Sequence, residues 1–161
     1  MRLGVEAALI DGVFVKGDVE IADGRIARWG LASSNGTGLA VPGFIDLQVN
    51  GFGGVDFLDA DAEGYERAGA ALLETGVTAY LPTLITSPEE ELVAALREVP
   101  TDSVRPRILG VHLEGPFLSP ARMGTHVPSA RAARSVSSGD VIRVGRYAVT
   151  PVSSRALPAR R

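Results

Sequence analysis

The chain contains no cysteine, which excludes disulfide scaffolds, thiolate zinc sites, iron–sulfur clusters and thiol nucleophiles. No apolar run approaches the roughly 18–20 residues that a spanning helix needs. The opening Met1-Arg2-Leu3-Gly4-Val5-Glu6 meets an acid before any long apolar stretch, so no secretory signal is read there. These absences point to a cytoplasmic protein with no membrane partner. Histidine is scarce: His112 and His126 are the two in the sequence. Acid is scarce in one part of the chain. Of 19 acidic residues only Asp140 lies beyond residue 120. The first 120 residues hold eight basic and 18 acidic side chains, a net -10, and the last 41 hold eight arginines and one acid, a net +7. A nucleic-acid arm would explain the basic end, but its arginines are scattered, lysine is missing and Tyr147 is its one aromatic residue. The expectation is no nucleic-acid partner and a poorly ordered tail.

What is present fits about one domain. The 161 residues are 45% apolar, enough for a buried core and against wholesale disorder. Three regions follow one another. Up to Val41, short β-type runs (4–10, 13–15, 19–21 and 25–29) are separated by Asp11-Gly12, Lys16-Gly17-Asp18 and Asp23-Gly24. Asp-Gly between apolar runs signals a hairpin because both residues tolerate positive φ. A small antiparallel sheet is predicted, closed by the polar loop 33–38.

From 42 to 126 the pattern is βα. Apolar strands start near residues 44, 77 and 108, about thirty residues apart, the size of a βα repeat. Between the first two, Asp59, Asp61 and Glu63 put acid at a helix start. Tyr65, Ala68 and Leu72 give that helix its stripe, and Gly76 ends it. Ser87-Pro88-Glu89-Glu90 predicts a second helix with Ser87 as N-cap, Pro88 first and Glu90 closing a capping box. Leu92, Ala95, Leu96 and Val99 are its apolar face. Nearly unbroken apolar strands suit a parallel sheet covered on both faces, so this stretch is α/β, barrel or doubly wound. From Val127 onward no clean periodicity remains.

In parallel α/β folds reactive groups lie at the carboxyl ends of strands. Those ends carry Gln48 and Asn50, then Thr83 and Thr86, then His112 and Glu114, with His126 on the next loop. Carboxylate and imidazole together suit a metal or acid–base site. Other readings stand beside this one. Asp46 fits backbone amides of the Pro42-Gly43 turn as well as a site role. Asn50-Gly51 fits a simple turn pair, and His112 a hydrogen-bonded core histidine. Gly51, Gly53 and Gly54 do not make a dinucleotide loop, because no helix follows at once. Glu114 lies in Leu113-Glu114-Gly115-Pro116-Phe117, where an unpaired carboxylate is costly. It reads as a metal ligand or general base.

Val41-Pro42-Gly43-Phe44-Ile45-Asp46-Leu47-Gln48-Val49-Asn50-Gly51 resembles the opening barrel strand of the N-acetylglucosamine-6-phosphate deacetylases, within the amidohydrolase superfamily. The run 76–87, from Gly76-Val77-Thr78 to Thr86-Ser87, resembles their second strand and loop. His112-Leu113-Glu114-Gly115-Pro116-Phe117-Leu118 with Gly124-Thr125-His126 resembles their metal-ligand strand and substrate loop. The resemblance covers residues 1–126.

The resemblance implies a TIM barrel with a small β-sandwich built from both chain ends. Here that becomes a partial TIM barrel over 42–126, preceded by a small antiparallel β-sandwich segment over 1–41 and followed by an atypical Arg-rich tail over 127–161. It implies removal of the acetyl group from N-acetylglucosamine 6-phosphate, one divalent metal, zinc, and a homodimer. By position Glu114 is the metal ligand, His126 and Thr125 belong to the substrate loop, and Gln48, Asn50 and His112 line the pocket. Gln48-x-Asn50 stands where many amidohydrolases carry His-x-His for a second metal, and neutral amides bind a transition metal less well than imidazole. One metal at most is therefore expected.

The family's further histidine ligands and its catalytic aspartate find no match after Val127. A TIM barrel takes about 250 residues, and one carboxylate falls short of the usual three protein ligands of catalytic zinc. The chain is expected to be the N-terminal part of a deacetylase gene product with a frameshifted or unrelated tail, inactive by itself. The alternatives are another metal-dependent amidohydrolase and a non-catalytic fragment or binding module.

Overall fold

The computed structural model describes residues 1–33, 35–101 and 106–115 in full, and the backbone of Ile142–Val144 and Tyr147–Val149. The described part is mixed α/β, and the chain divides into two compact units, Met1–Gly43 and Phe44–Arg161.

The first unit is built by its turns. Strands β1 (Ala7–Ile10) and β2 (Val13–Lys16) pair antiparallel, Leu9 opposite Phe14. Asp11-Gly12 joins them with φ of 48° and 80°. Strands β3 (Asp18–Ala22) and β4 (Arg25–Leu31) form the second hairpin through Asp23-Gly24, with φ of 52° and 70°. Positive φ at both central residues matches the strand twist, as the Asp-Gly pairs predict. The expectation of a purely antiparallel sheet is corrected at β5 (Leu39–Ala40), which lies parallel to β1. The segment after β4 returns beside the edge of β1 that β2 leaves open, with Thr37 N–H on the Gly4 carbonyl (2.9 Å) and Glu6 N–H on that of Gly38 (3.0 Å).

Asp18 ties this unit to its N-terminal segment. Its buried carboxylate accepts the backbone N–H groups of Gly4 (2.9 Å), Val5 (3.1 Å) and Val19 (2.8 Å). Burial by itself raises the pKa, but the three amides and the nearby Arg2 guanidinium (3.8 Å) favour the charged form more and hold it below the ordinary carboxylate value.

The second unit carries a parallel sheet. Strand β6 (Phe44–Val49) and strands β10 (Arg107–Ile108) and β11 (His112–Glu114) flank β9 (Val77–Ile85), all parallel to it. Between β6 and β9 stands an expected helix, α1 (Ala62–Glu74), capped by Asp61, whose Oδ1 accepts the N–H of Gly64 at 2.8 Å. Helix α2 (Glu89–Glu98) corrects the expected cap. Pro88 is extended (φ -51°, ψ 145°) and is itself the N-cap, and it contributes no side-chain bond. Ser87 therefore sits one residue too early to reach the helix amides. Glu89, Glu90 and Glu91 occupy the first turn and favour the helix dipole instead.

The core of this unit joins Tyr80 and Leu84 of β9 to Tyr65, Ala68 and Leu72 of α1 and to Leu92, Ala95 and Leu96 of α2. At its centre Phe57, fully buried, stacks on Tyr65 (centroids 5.0 Å apart) and on Tyr80 (5.6 Å). Burial pushes the Tyr80 phenol up to about 12, so it stays neutral in the core. Of the region 127–161, only the antiparallel backbone pair β12 (Ile142–Val144) and β13 (Tyr147–Val149) is described. The expectation for the rest of that region lies outside the described residues.

Candidate functional site

Because β6, β9 and β11 run parallel, their carboxyl ends fall at one end of the sheet. Ladder pairing sets His112 opposite Thr83 and Glu114 opposite Ile85. Two threonines of β9 and its following loop fasten β11 there. Buried Thr86 donates its hydroxyl to the Glu114 carbonyl at 2.8 Å, and Thr83 Oγ1 lies 3.4 Å from His112 Nδ1. A fixed main chain at Glu114 presents its carboxylate at the strand end.

Asn50 reaches the same carboxylate from the end of β6. Its Nδ2 donates to Glu114 Oε2 at 3.4 Å, across 64 residues of sequence. The simple turn reading of Asn50-Gly51 is corrected. Asn50 leads into a hairpin of β7 (Gly51–Phe52) and β8 (Val55–Asp56), turned by Gly53-Gly54 with φ of 58° and 79°. A Cβ at Gly51 would lie 2.2 Å from the Val55 carbonyl oxygen, so only glycine lets the two strands close. The hairpin is anchored at its far end, where Phe57 N–H donates to the Asn50 carbonyl at 3.0 Å while the Phe57 ring is locked in the core. Asn50 is thereby held through its carbonyl as well as its side chain. Sequence reading passed over this hairpin and Phe57. Gly53-Gly54 between Phe52 and Val55 is the signal that marks it.

The remaining candidates are placed as follows. Gln48 is exposed on β6. Asp46 does not serve the Pro42-Gly43 turn. Its Oδ1 accepts the N–H of Gln48 at 3.1 Å, an Asx-type bond two residues on. Thr125 and His126 lie outside the described residues.

The donor set among the described residues does not make a metal site by itself. Among the described residues no three His, Asp or Glu side chains come together. One Glu114 carboxylate oxygen meets the Asn50 amide N–H, and His112 turns a ring nitrogen to Thr83. Zinc in hydrolytic sites takes three protein ligands. The cluster can hold a carboxylate in a set orientation beside a polar strand end, and no step through a cation is derived from it.

Comparison with known proteins places these residues in context. Residues 39–152 match the amidohydrolase family. The chain is 45% identical over 94 residues to the N-acetylglucosamine-6-phosphate deacetylase of Mus musculus, covering 55% of this chain and 23% of that protein. It is 42% identical over 89 residues to that of Haemophilus influenzae, again 23% of the relative. The chain thus spans about a quarter of the length of these curated relatives. The solved deacetylase of Thermotoga maritima superposes with a TM-score of 0.68 at 30% identity, covering 84% of this chain and 38% of that one. A variant of the Mycobacterium smegmatis enzyme, solved in complex with N-acetyl-D-glucosamine-6-phosphate, superposes with 0.65 at 30% identity, with the same two coverages. No helix among the described residues is long and apolar enough to cross a membrane.

Proposed function

The chain belongs to the amidohydrolase family, and from that premise we propose that it carries the opening β/α units of an N-acetylglucosamine-6-phosphate deacetylase. The reaction is hydrolysis of the acetamide C–N bond, with water giving glucosamine 6-phosphate and acetate. One observation carries the reading. Asn50 and Glu114, distant in sequence, meet at 3.4 Å at the carboxyl end of parallel strands, inside residues 39–152 that match the amidohydrolase family, in a chain 45% identical over 94 residues to a deacetylase.

On this reading residues 42–126 are the first units of a TIM barrel and residues 1–41 contribute to a β-sandwich, while the family match itself runs on to residue 152. Glu114 is one ligand of a divalent metal, zinc, which in this family activates water. Gln48, Asn50 and His112 line the pocket, and Thr125 and His126 belong to the loop that contacts the sugar phosphate. What this chain's residues do is orient. Thr86 fixes the backbone of Glu114 and Asn50 holds its carboxylate. With one ligand among the described residues, the chain by itself is expected to release no acetate. The intact enzyme is expected to be a cytoplasmic homodimer.

The test replaces the matching segment of the Mycobacterium smegmatis deacetylase by residues 1–115 of this chain and follows acetate release from N-acetylglucosamine 6-phosphate. Turnover that Glu114→Ala reduces to background is the expected result. A folded chimera that releases no acetate, or that hydrolyses a cyclic amide instead, overturns the assignment.

A further inference from the structure

The register of β6 against β9 slips on the way to the strand end. Ile45 pairs with Ala79 and Asp46 with Tyr80, but the next pair is Val49 with Pro82. Leu47 and Gln48 therefore stand together opposite Leu81, a β-bulge of one extra residue. This slip decides which side chain meets Glu114. Paired residues of neighbouring strands share a face, and faces alternate along a strand. Tyr80 and Leu84 belong to the core formed with α1 and α2, so Pro82 between them takes that face too. Val49, paired with Pro82, turns the same way and is 5% exposed in that core. Asn50 falls on the opposite face with Thr83, the partner of His112, and there its side chain meets Glu114. Without the extra residue, counting from the Asp46–Tyr80 pair sets Val49 beside Thr83 and Asn50 beside Leu84, facing the core. A shift of one residue exchanges the two faces of a strand.

The bulge has a clasp. Oδ1 of half-buried Asp46, the last residue before the slip, accepts the N–H of Gln48, inside it, at 3.1 Å. An amide on a carboxylate makes a stronger bond than an amide on a neutral acceptor. We propose that Asp46 is a positioning residue: its carboxylate holds the bulge, and the bulge turns Asn50 toward Glu114 and Val49 into the core. The geometry stands on the strand register, whereas its use in orienting Glu114 for amide hydrolysis rests on the deacetylase reading.

The experiment uses the full 161-residue chain, isotopically labelled at nitrogen and read by NMR. Its probe is the side-chain amide of Asn50, whose resonance responds to Glu114→Gln because one of its N–H groups lies on that carboxylate. Asp46→Ala is expected to abolish this response and to quicken exchange of the Gln48 backbone amide about tenfold, the loss of one hydrogen bond to a charged group. Asp46→Asn keeps an acceptor oxygen in the same place and is expected to retain the response. An Asp46→Ala chain that keeps the response overturns the proposal, as does an Asp46→Asn chain that loses it. If Asp46→Ala lacks the far-UV circular dichroism of a folded chain, the Gln48 amide of the unaltered chain decides. Exchange slowed about tenfold or more relative to an unfolded chain sustains the clasp, and a smaller slowing overturns it. Acetate release by the chimera is scored separately: the expected NMR signatures beside an inactive chimera sustain the role of Asp46 and count against the deacetylase reading.

Discussion

Phe57 is the residue whose removal best separates this account from a looser one. Its ring is 0% exposed and stacks on Tyr65 at 5.0 Å and Tyr80 at 5.6 Å. Its N–H fixes the Asn50 carbonyl at 3.0 Å. Truncation to Ala leaves a cavity between two rigid rings, which costs about 3–5 kcal/mol. Lost ring–ring geometry adds about 0.5–1.5 kcal/mol per pair. Two pairs put the expected loss at about 4–8 kcal/mol, against about 5–15 kcal/mol for a whole domain. Phe57→Leu keeps most of the volume and loses the stacking, for about 1–2 kcal/mol. Urea unfolding followed by far-UV circular dichroism measures both. In Phe57→Leu, exchange of the amide at residue 57 should quicken, because the hairpin that carries Asn50 is held by that ring. A Phe57→Ala variant within 1 kcal/mol of the parent, or Ala and Leu variants of equal stability, would refute the packing argument.

Two further outcomes are expected. Asp18 has its folded pKa held below its ordinary value of 3.8, so its contribution is complete above that value and is lost as pH falls through the lower folded value. Asp18→Asn should therefore flatten the acid limb of stability below about pH 4, seen as a smaller drop in Tm between pH 5 and 2.5; an unchanged acid limb contradicts the role given to Asp18. Calorimetric titration of the chain with zinc should show no tight equivalent, because three ligands are the usual requirement; one tight equivalent that Glu114→Gln removes would show a complete site within these residues.

The site divides cleanly into what neighbouring residues reveal and what distance hides. Glu114 is conspicuous in the sequence because a carboxylate framed by Leu113, Gly115 and Pro116 needs a partner. The partner is not conspicuous. Asn50 reads equally well as half of a turn, and the 64-residue separation gives no local pattern that joins it to Glu114. Thr86 is visible as a polar residue after a strand, but that its hydroxyl bonds the backbone of Glu114 follows only from the β9–β11 register. The misplaced cap at Ser87 has a local cause: Ser-Pro-Glu-Glu satisfies the capping pattern, and one residue of extended backbone at Pro88 shifts the helix out of its reach.

The sequence by itself determined the features that depend on a few adjacent residues. The Asp-Gly hairpins follow from positive φ, the acid at the start of α1 from the helix dipole, and the βα spacing from apolar runs about thirty residues apart. Tertiary structure alone decided that β5 lies parallel to β1, that Phe57 fills the gap between Tyr65 and Tyr80, and that Asn50 faces Glu114. Those contacts depend on closing long loops and on which strand edge is vacant when the segment arrives, and neither is written in the residues on either side.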